Sequence, residues 1–317
     1  MMDAQYRGWN IMKSGFFLGL LGAVIISTSY AADLRKAPPE PVAPVVTSDL
    51  LFGSLEFDVN ALASPKQLGL DAATAPYVSG VGKITYMPAS RLIGVQGDVN
   101  LMGTSTDWIN PASKTHTSTF IYGGAAHVFT EALPNAKIGA FFTADWTQMN
   151  IAKRQVGTLV FPMYQGGVEG QYLLTQNWLV RGRAGGGSII PDSSANGMPN
   201  GRIASFGLGT TYAFTQSWSA GADLQFSRIT GFGLPVKLDI FDLTGFAEYK
   251  FVQSPFSVRG EIGWMRAQPR LFGAHIDLDA FRVRLGVKYA FGGGDNGRPR
   301  SLLDSEFQTH NFIAGLR

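Results

Sequence analysis

From Leu51 onward the chain repeats one pattern: short runs in which apolar and polar side chains alternate, separated by turn residues. Twelve such runs can be drawn, at about 51–61, 77–87, 91–102, 117–130, 135–148, 160–174, 177–189, 201–214, 217–229, 236–251, 256–267 and 278–291. Successive side chains of a strand point to opposite faces, so a period of two predicts a sheet with one apolar and one polar face. In the third run Ile93, Val95, Val99 and Leu101 fall on one face and Gln96, Asp98 and Asn100 on the other. In the last, Phe281, Val283, Leu285, Val287, Tyr289 and Phe291 oppose Arg282, Arg284 and Lys288. Ile138, Phe142 and Trp146 oppose Lys137, Thr143 and Asp145 in the fifth; Trp218, Leu224 and Phe226 oppose Ser219, Asp223 and Gln225 in the ninth. The second, fourth and eighth runs are blurred by Gly and Ala.

The connections alternate too. Short turns near Pro88–Ser90, Glu131–Pro134, Thr175–Gln176, Gln216 and Val252–Pro255 take turns with longer links near 62–76, 103–116, 149–159, 190–200, 230–235 and 268–277. A soluble β-sandwich gives no reason for that regularity, whereas an outer-membrane barrel has short periplasmic turns and long outer loops. Aromatics gather beside the short turns: Tyr86, Phe129, Tyr172, Trp178, Tyr212, Phe214, Trp218, Phe251, Phe256, Tyr289 and Phe291. Rings with one apolar and one wet side suit a membrane boundary. The expected fold is therefore an all-β, antiparallel transmembrane barrel of about 12 strands, with 10–14 as alternatives. An even number returns the chain to the side it started from.

Composition agrees with this reading. Only 15% of residues are charged, mean hydropathy is near zero, and 39 are glycine. Lys13 and the apolar run Gly15–Ile26, followed by Ser29-Tyr30-Ala31, have the layout of a secretory signal peptide, expected to end at Ala31. Twelve apolar residues are short of the roughly 20 that span a bilayer as a helix. Residues 32–50, with Pro38, Pro39, Pro41 and Pro44, predict an extended periplasmic segment. The barrel is expected over 51–291, and 292–317 as a periplasmic tail or an additional terminal strand.

Net charge is +3 for the whole chain, and a leader carrying Arg7, Lys13 and Asp3 removes one unit of it, leaving about +2, no case for nucleic acid. Gly185-Gly186-Gly187 and Gly292-Gly293-Gly294 lack the Lys-Ser/Thr of a phosphate loop. The absence of cysteine excludes disulfides and thiolate chemistry. No pair of histidines has metal-ligand spacing, so neither a metal nor a cofactor is expected.

Two stretches resemble known families. Ala31-Ala32-Asp33-Leu34-Arg35-Lys36-Ala37-Pro38-Pro39 resembles the mature start of the porin-like surface-antigen group of alphaproteobacterial outer-membrane proteins. Val283-Arg284-Leu285-Gly286-Val287-Lys288-Tyr289-Ala290-Phe291 resembles the terminal signal read by the barrel assembly machinery. The resemblance implies a Gram-negative outer membrane, with its lipid, lipopolysaccharide and assembly machinery as partners. It departs at Leu51-Phe52-Gly53-Ser54-Leu55, where small eight-stranded members carry a Trp-x-Gly-Phe-Tyr-like motif.

The polar phase carries Glu56, Asp58, Lys83, Asp98, Lys137, Asp145, Glu169, Arg181, Arg183, Asp223, Asp242, Glu248, Arg259, Glu261, Arg282, Arg284 and Lys288. Arg or Lys facing lipid at the midplane costs roughly 2–4 kcal/mol, so these charges are expected to line a lumen and set its selectivity. Neighbouring strands would pair Arg282, Arg284 and Lys288 with Glu56 and Asp58, Arg181 and Arg183 with Glu169, and Arg259 with Asp242 and Glu248. The expected function is passive diffusion of ions or small polar solutes. The alternative is a non-conducting structural or surface-antigen barrel, and a lipid-modifying enzyme is the least favoured reading. His116-Thr117-Ser118 is similar to the His-x-Ser pair of twelve-stranded outer-membrane phospholipases, but Thr119-Phe120-Ile121 replaces their Asn-Gly-Arg, so His116 is expected in a loop and no catalysis is expected. His127 is expected to be a lumen side chain.

Overall fold

The computed structural model describes residues 49–65, 73–110, 113–133, 135–151, 159–191, 199–231, 236–271, 274–275, 277–292 and 306–308. The expected leader and nearly all of the Pro-rich segment lie outside them, as does the stretch that resembles the surface-antigen group. Ladders run from β1 (Leu50–Ser64) through β2 (Ala73–Met87), β3 (Gly94–Asn110), β4 (Ser113–Leu133), β5 (Ala136–Ile151), β6 (Leu159–Thr175) and β7 (Trp178–Ile189). They continue through β8 (Gly201–Ala213), β9 (Trp218–Gly231), β10 (Val236–Lys250), β11 (Phe256–Leu271) and β13 (Leu278–Gly292). Every neighbouring pair is antiparallel, and β13 pairs back onto β1 from Phe52↔Gly292 to Ala63↔Phe281, so these twelve strands close a barrel. β12 (Ala274–His275) is a two-residue rung on the end of β11 and leaves the parity unchanged.

All twelve expected strands are present, and several run further at the long-loop end. The span 103–116, read as a loop, is mostly ladder, with pairing continuing to Asn110↔Ser113. His116 accordingly sits on β4 opposite Asp107, not in a loop. Leu50, assigned to the Pro-rich segment, already pairs with Met87.

Alternation is visible as exposure. Along β13, Phe281, Val283, Leu285 and Val287 are exposed while Ala280, Arg282 and Arg284 are buried. Leu55, Phe57 and Val59 on β1 and Val95, Val99 and Leu101 on β3 extend the exposed apolar surface, with Asp58, Asn60, Gln96, Asp98 and Asn100 buried behind it. A closed sheet satisfies its own backbone groups, which lets an apolar exterior face lipid.

Both edges of this belt are marked. At the short-turn end Tyr86, Tyr172, Trp178, Phe214, Trp218, Phe251, Phe256 and Tyr289 are exposed. Phe129 is the exception to the expected girdle: it is 3% exposed and points inward, because its neighbour Val128 holds the outward phase. At the other end outward positions turn ionic, with Arg228 2.6 Å from Asp239 and Arg266 2.9 Å from Asp279. From Tyr289 to Phe281 the strand climbs about 27 Å at roughly 3.4 Å per residue, or about 20 Å along the axis at a tilt of about 40°, near the height of a bilayer's apolar band.

Candidate functional site

The buried face divides into two zones. At the long-loop end it is apolar: Met163, Ile189, Ile203, Ile229 and Ile240 form one cluster and Tyr77, Met102 and Ile121 another. Below this the lumen is polar and charged. Asp58, Asp98, Lys137, Asp145, Glu169, Asp242, Glu261, Arg282 and Arg284 are buried; Glu56, Lys83, Arg181, Arg183, Asp223, Glu248, Arg259 and Lys288 are half-buried.

Glycines decide which of these groups meet. Asn100 on β3, Gly123 on β4 and Asp145 on β5 stand in one row, and Asn100 Nδ2 reaches over the glycine to donate to Asp145 Oδ1 at 3.1 Å. Arg181, Gly209 and Asp223 form a second row across β7, β8 and β9, with Arg181 Nη2 donating at 2.7 and 2.9 Å to the two carboxylate oxygens. Arg183, Gly207 and Gln225 form a third, and Thr244, Gly263 and Arg282 a fourth. A Cβ on Gly209 would collide with Asp223 Oδ1, and one on Gly207 would lie 2.8 Å from Arg183 Nε. The glycines that blur the alternation in the fourth and eighth runs therefore act as saddles under lumen bonds.

The expected pairings hold in part. Arg284 Nη2 lies 2.6 Å from both Glu56 Oε1 and Asp58 Oδ2, and Nη1 lies 3.3 Å from Glu261 Oε2, joining β13 to β1 and β11. Arg282 turns the other way, 3.4 Å from Asp242. Arg181 and Arg183 stand beside Gln171 and Glu169 in register but bond to Asp223 and Gln225, because inward side chains on a concave wall converge on the second strand over. Arg259 bonds Glu261 on its own strand and covers the Phe246 ring, while Glu248 accepts from Ser257. His127, fully buried, has Asp98 Oδ2 3.4 Å from Nε2 and Glu169 Oε1 2.6 Å from Nδ1. Among the described residues no group of His, Asp and Glu side chains could hold a metal ion.

Sequence reasoning missed Glu306–Gln308. Expected in a periplasmic tail or an additional terminal strand, they form no strand and lie inside the lumen, at its short-turn half. Glu306 accepts from Ser54 Oγ at 2.6 Å and Lys288 Nζ at 3.1 Å. The Phe307 amide donates to Gln96 Oε1 at 2.9 Å, and its carbonyl accepts from Gln96 Nε2 at 3.1 Å and Lys83 Nζ at 2.7 Å. Its ring is stacked on His127 at 5.8 Å, meets Phe129 edge-on at 5.3 Å and lies 5.2 Å from Lys137 Nζ. Gln308 Nε2 donates to Asp223 Oδ2 at 3.1 Å. Beside Phe307 and Gln308 remains a cavity of about 70 Å³, lined by Arg181, Arg183, Asp242, Arg259, Glu261 and Arg284 among others.

A closed antiparallel sheet with an apolar belt outside, an aromatic edge, and charges within has one setting. The chain is an outer-membrane β-barrel. No family model and no curated protein matches its sequence. Among solved structures it is similar to the translocator domain of the autotransporter NalP from Neisseria meningitidis, at 12% identity over 88% of this chain and 98% of that one, with a TM-score of 0.48. An outer membrane channel from Pseudomonas putida F1 is 12% identical over 81% and 100% of the two chains, with a TM-score of 0.47. The toluene transporter TodX of Pseudomonas putida is 12% identical over 81% and 92%, with a TM-score of 0.44. The barrel's assignment rests on its own sheet and surface.

Proposed function

We propose that this barrel is a passive channel for ions or small polar solutes, with a preference for cations. The observation that carries the reading is the lumen's charged middle. Replacing a buried ion pair by well-packed apolar residues is often neutral or stabilising, so a barrel serving only as a wall gains nothing from ion pairs around a cavity. The sign comes from Asp145. It is 1% exposed, receives an amide hydrogen bond from Asn100, and its Oδ2 has no hydrogen-bond partner among the described residues. Thr143 and Thr147, its inward neighbours on β5, present unpartnered hydroxyl oxygens there as well. At an effective dielectric of about 20 the Coulombic attraction of a cation 4 Å from an ionised carboxylate is about 4 kcal/mol, before the cost of shedding its water.

The reading is non-catalytic. Membership of the porin-like surface-antigen group, export by the N-terminal leader, insertion through the assembly machinery at Val283–Phe291, and contact with lipopolysaccharide belong to the same proposal. The test is ionic current across planar bilayers under a salt gradient, for the chain with and without residues 301–317. Asp145→Asn is expected to shift the reversal potential toward equal cation and anion flow. Folded protein that passes no current in either form ends the proposal.

A further inference from the structure

We infer that the lumen contains a peptide-binding seat for a carboxylate–aromatic segment, and that the chain's own Glu306-Phe307-Gln308 fills it as a removable plug. This deepens the channel reading and rests on it. The seat recognises the segment's carboxylate, backbone, ring and amide, each by its own set of groups. Ser54 on β1 and Lys288 on β13 hold the Glu306 carboxylate. Gln96 on β3 treats Phe307 as a strand partner, accepting from its amide and donating to its carbonyl with one side chain. Lys83 on β2 takes the same carbonyl, and Gln171 on β6 reaches the carbonyl of Glu306 at 3.4 Å. The Phe307 ring, 3% exposed, fills the space between His127, Phe129 and Lys137. Asp223 on β9 receives Gln308.

Three residues thus touch β1, β2, β3, β4, β5, β6, β9 and β13, which means that they cross the lumen instead of resting on one wall. Phe129, inward where its neighbouring aromatics are outward, has its reason here: it is the edge partner of Phe307. The seat is also built to let go. Its polar contacts reach a backbone, one carboxylate and one side-chain amide, groups that water satisfies equally well, and among the described residues no covalent or sheet bond fixes the segment. Net hydrogen bonds in water's presence are worth about 1 kcal/mol each, so the plug can leave without unfolding the wall. Gly292 leaves the sheet at the short-turn end, and the residues between it and Glu306 span up to about 45 Å when extended, ample to turn back into the lumen or to withdraw from it. With the plug seated, the cavity beside it is about 70 Å³, room for a few waters.

Three measurements on the folded protein test this. First, the full chain in planar bilayers is expected to be mostly closed, and the chain ending at Arg300, or full-length Glu306→Ala/Phe307→Ala, to pass at least tenfold more mean current. Second, a synthetic peptide of residues 301–317 is expected to block the shortened barrel, whereas the same peptide with Phe307→Ala does not. Third, since the chain has no cysteine, Gln308→Cys gives a unique thiol. It is expected to resist a water-soluble maleimide in the full chain and to react at least tenfold faster once Glu306 and Phe307 are alanine. Heat-modifiable gel mobility reports that each variant has folded. A thiol that reacts freely in the full chain overturns the plug whatever the currents are, and so do measurable currents that are equal with and without the tail. A protected thiol with no current in any form leaves the seat standing and removes the channel.

Discussion

Arg284 closes the barrel's seam, and its removal tests the description of the lumen most directly. The guanidinium holds three carboxylates, on β1 and β11, and all four side chains are largely shielded from water. The three do not depend on it equally. Glu261 keeps Arg259 at 2.6 Å, and Glu56 stands opposite Lys288 in the ladder and is the most exposed of the three. Asp58, with its side chain fully buried, keeps a hydroxyl hydrogen bond from Ser79 at 3.1 Å and no other cation within 4 Å among the described residues. Breaking one fully buried pair costs about 3–5 kcal/mol, chiefly because a charge is left behind. Arg284→Ala is therefore expected to lower stability by about that much, not by three times as much. Adding Asp58→Asn is expected to restore about 2 kcal/mol or more, because the stranded charge is gone. Urea unfolding in phosphatidylcholine vesicles, followed by tryptophan fluorescence, measures both. A loss below about 1 kcal/mol in Arg284→Ala, or a second substitution that deepens it, would show that the three carboxylates are not held as described.

Two further expectations concern the wall and its rim. Gly209→Val places a side chain between Arg181 and Asp223, where a Cβ alone would lie 2.6 Å from Arg181 Nε; overpacking of this kind costs about 1–3 kcal/mol, and the same substitution at Gly245, which has open space, should cost less by the same unfolding assay. Asp49, just before β1, accepts from the Tyr86 hydroxyl at 2.7 Å and the Ala89 amide at 3.0 Å, which hold its carboxyl below the usual range. A depressed pKa stabilises above the unfolded value and the benefit is lost as pH falls through the folded one. The stability difference between the native chain and Asp49→Ala should thus be present at neutral pH and vanish in acid; a difference independent of pH contradicts the assignment.

The strands were legible because lipid imprints them. Wherever a bilayer touches one face and water the other, period-two alternation follows; nine of the twelve runs carry it plainly, and Gly and Ala blur it in the second, fourth and eighth. The imprint stops short of the ladder's end: residues 104–107 read Thr-Ser-Thr-Asp with no apolar alternation, and pairing continues to Asn110↔Ser113 without a pattern to betray it. Phase, not mere nearness to a turn, places Phe129 inward and marks Arg228, Asp239, Arg266 and Asp279 as out-of-phase charges beyond the belt. Which inward charges bond was not legible, since Arg181 and Arg183 pass over glycines to a strand that sequence proximity does not suggest. Glu306–Gln308 left no signal at all. A lone Phe in a polar stretch acquires its meaning only from His127, Phe129 and Lys137, more than 160 positions earlier.

The ladder between β1 and β13 joins the two ends of a domain more than two hundred residues long. Until Gly292 exists, any shorter piece of this chain is an open ribbon with two raw rims of unpaired amides and carbonyls, which hydrocarbon will not tolerate and which invite other ribbons. Nothing resembling half of this protein can therefore wait in the bilayer. Whatever escorts the growing polypeptide must shield those rims to the last strand, and the molecule becomes stable in a single act, when its beginning meets its end.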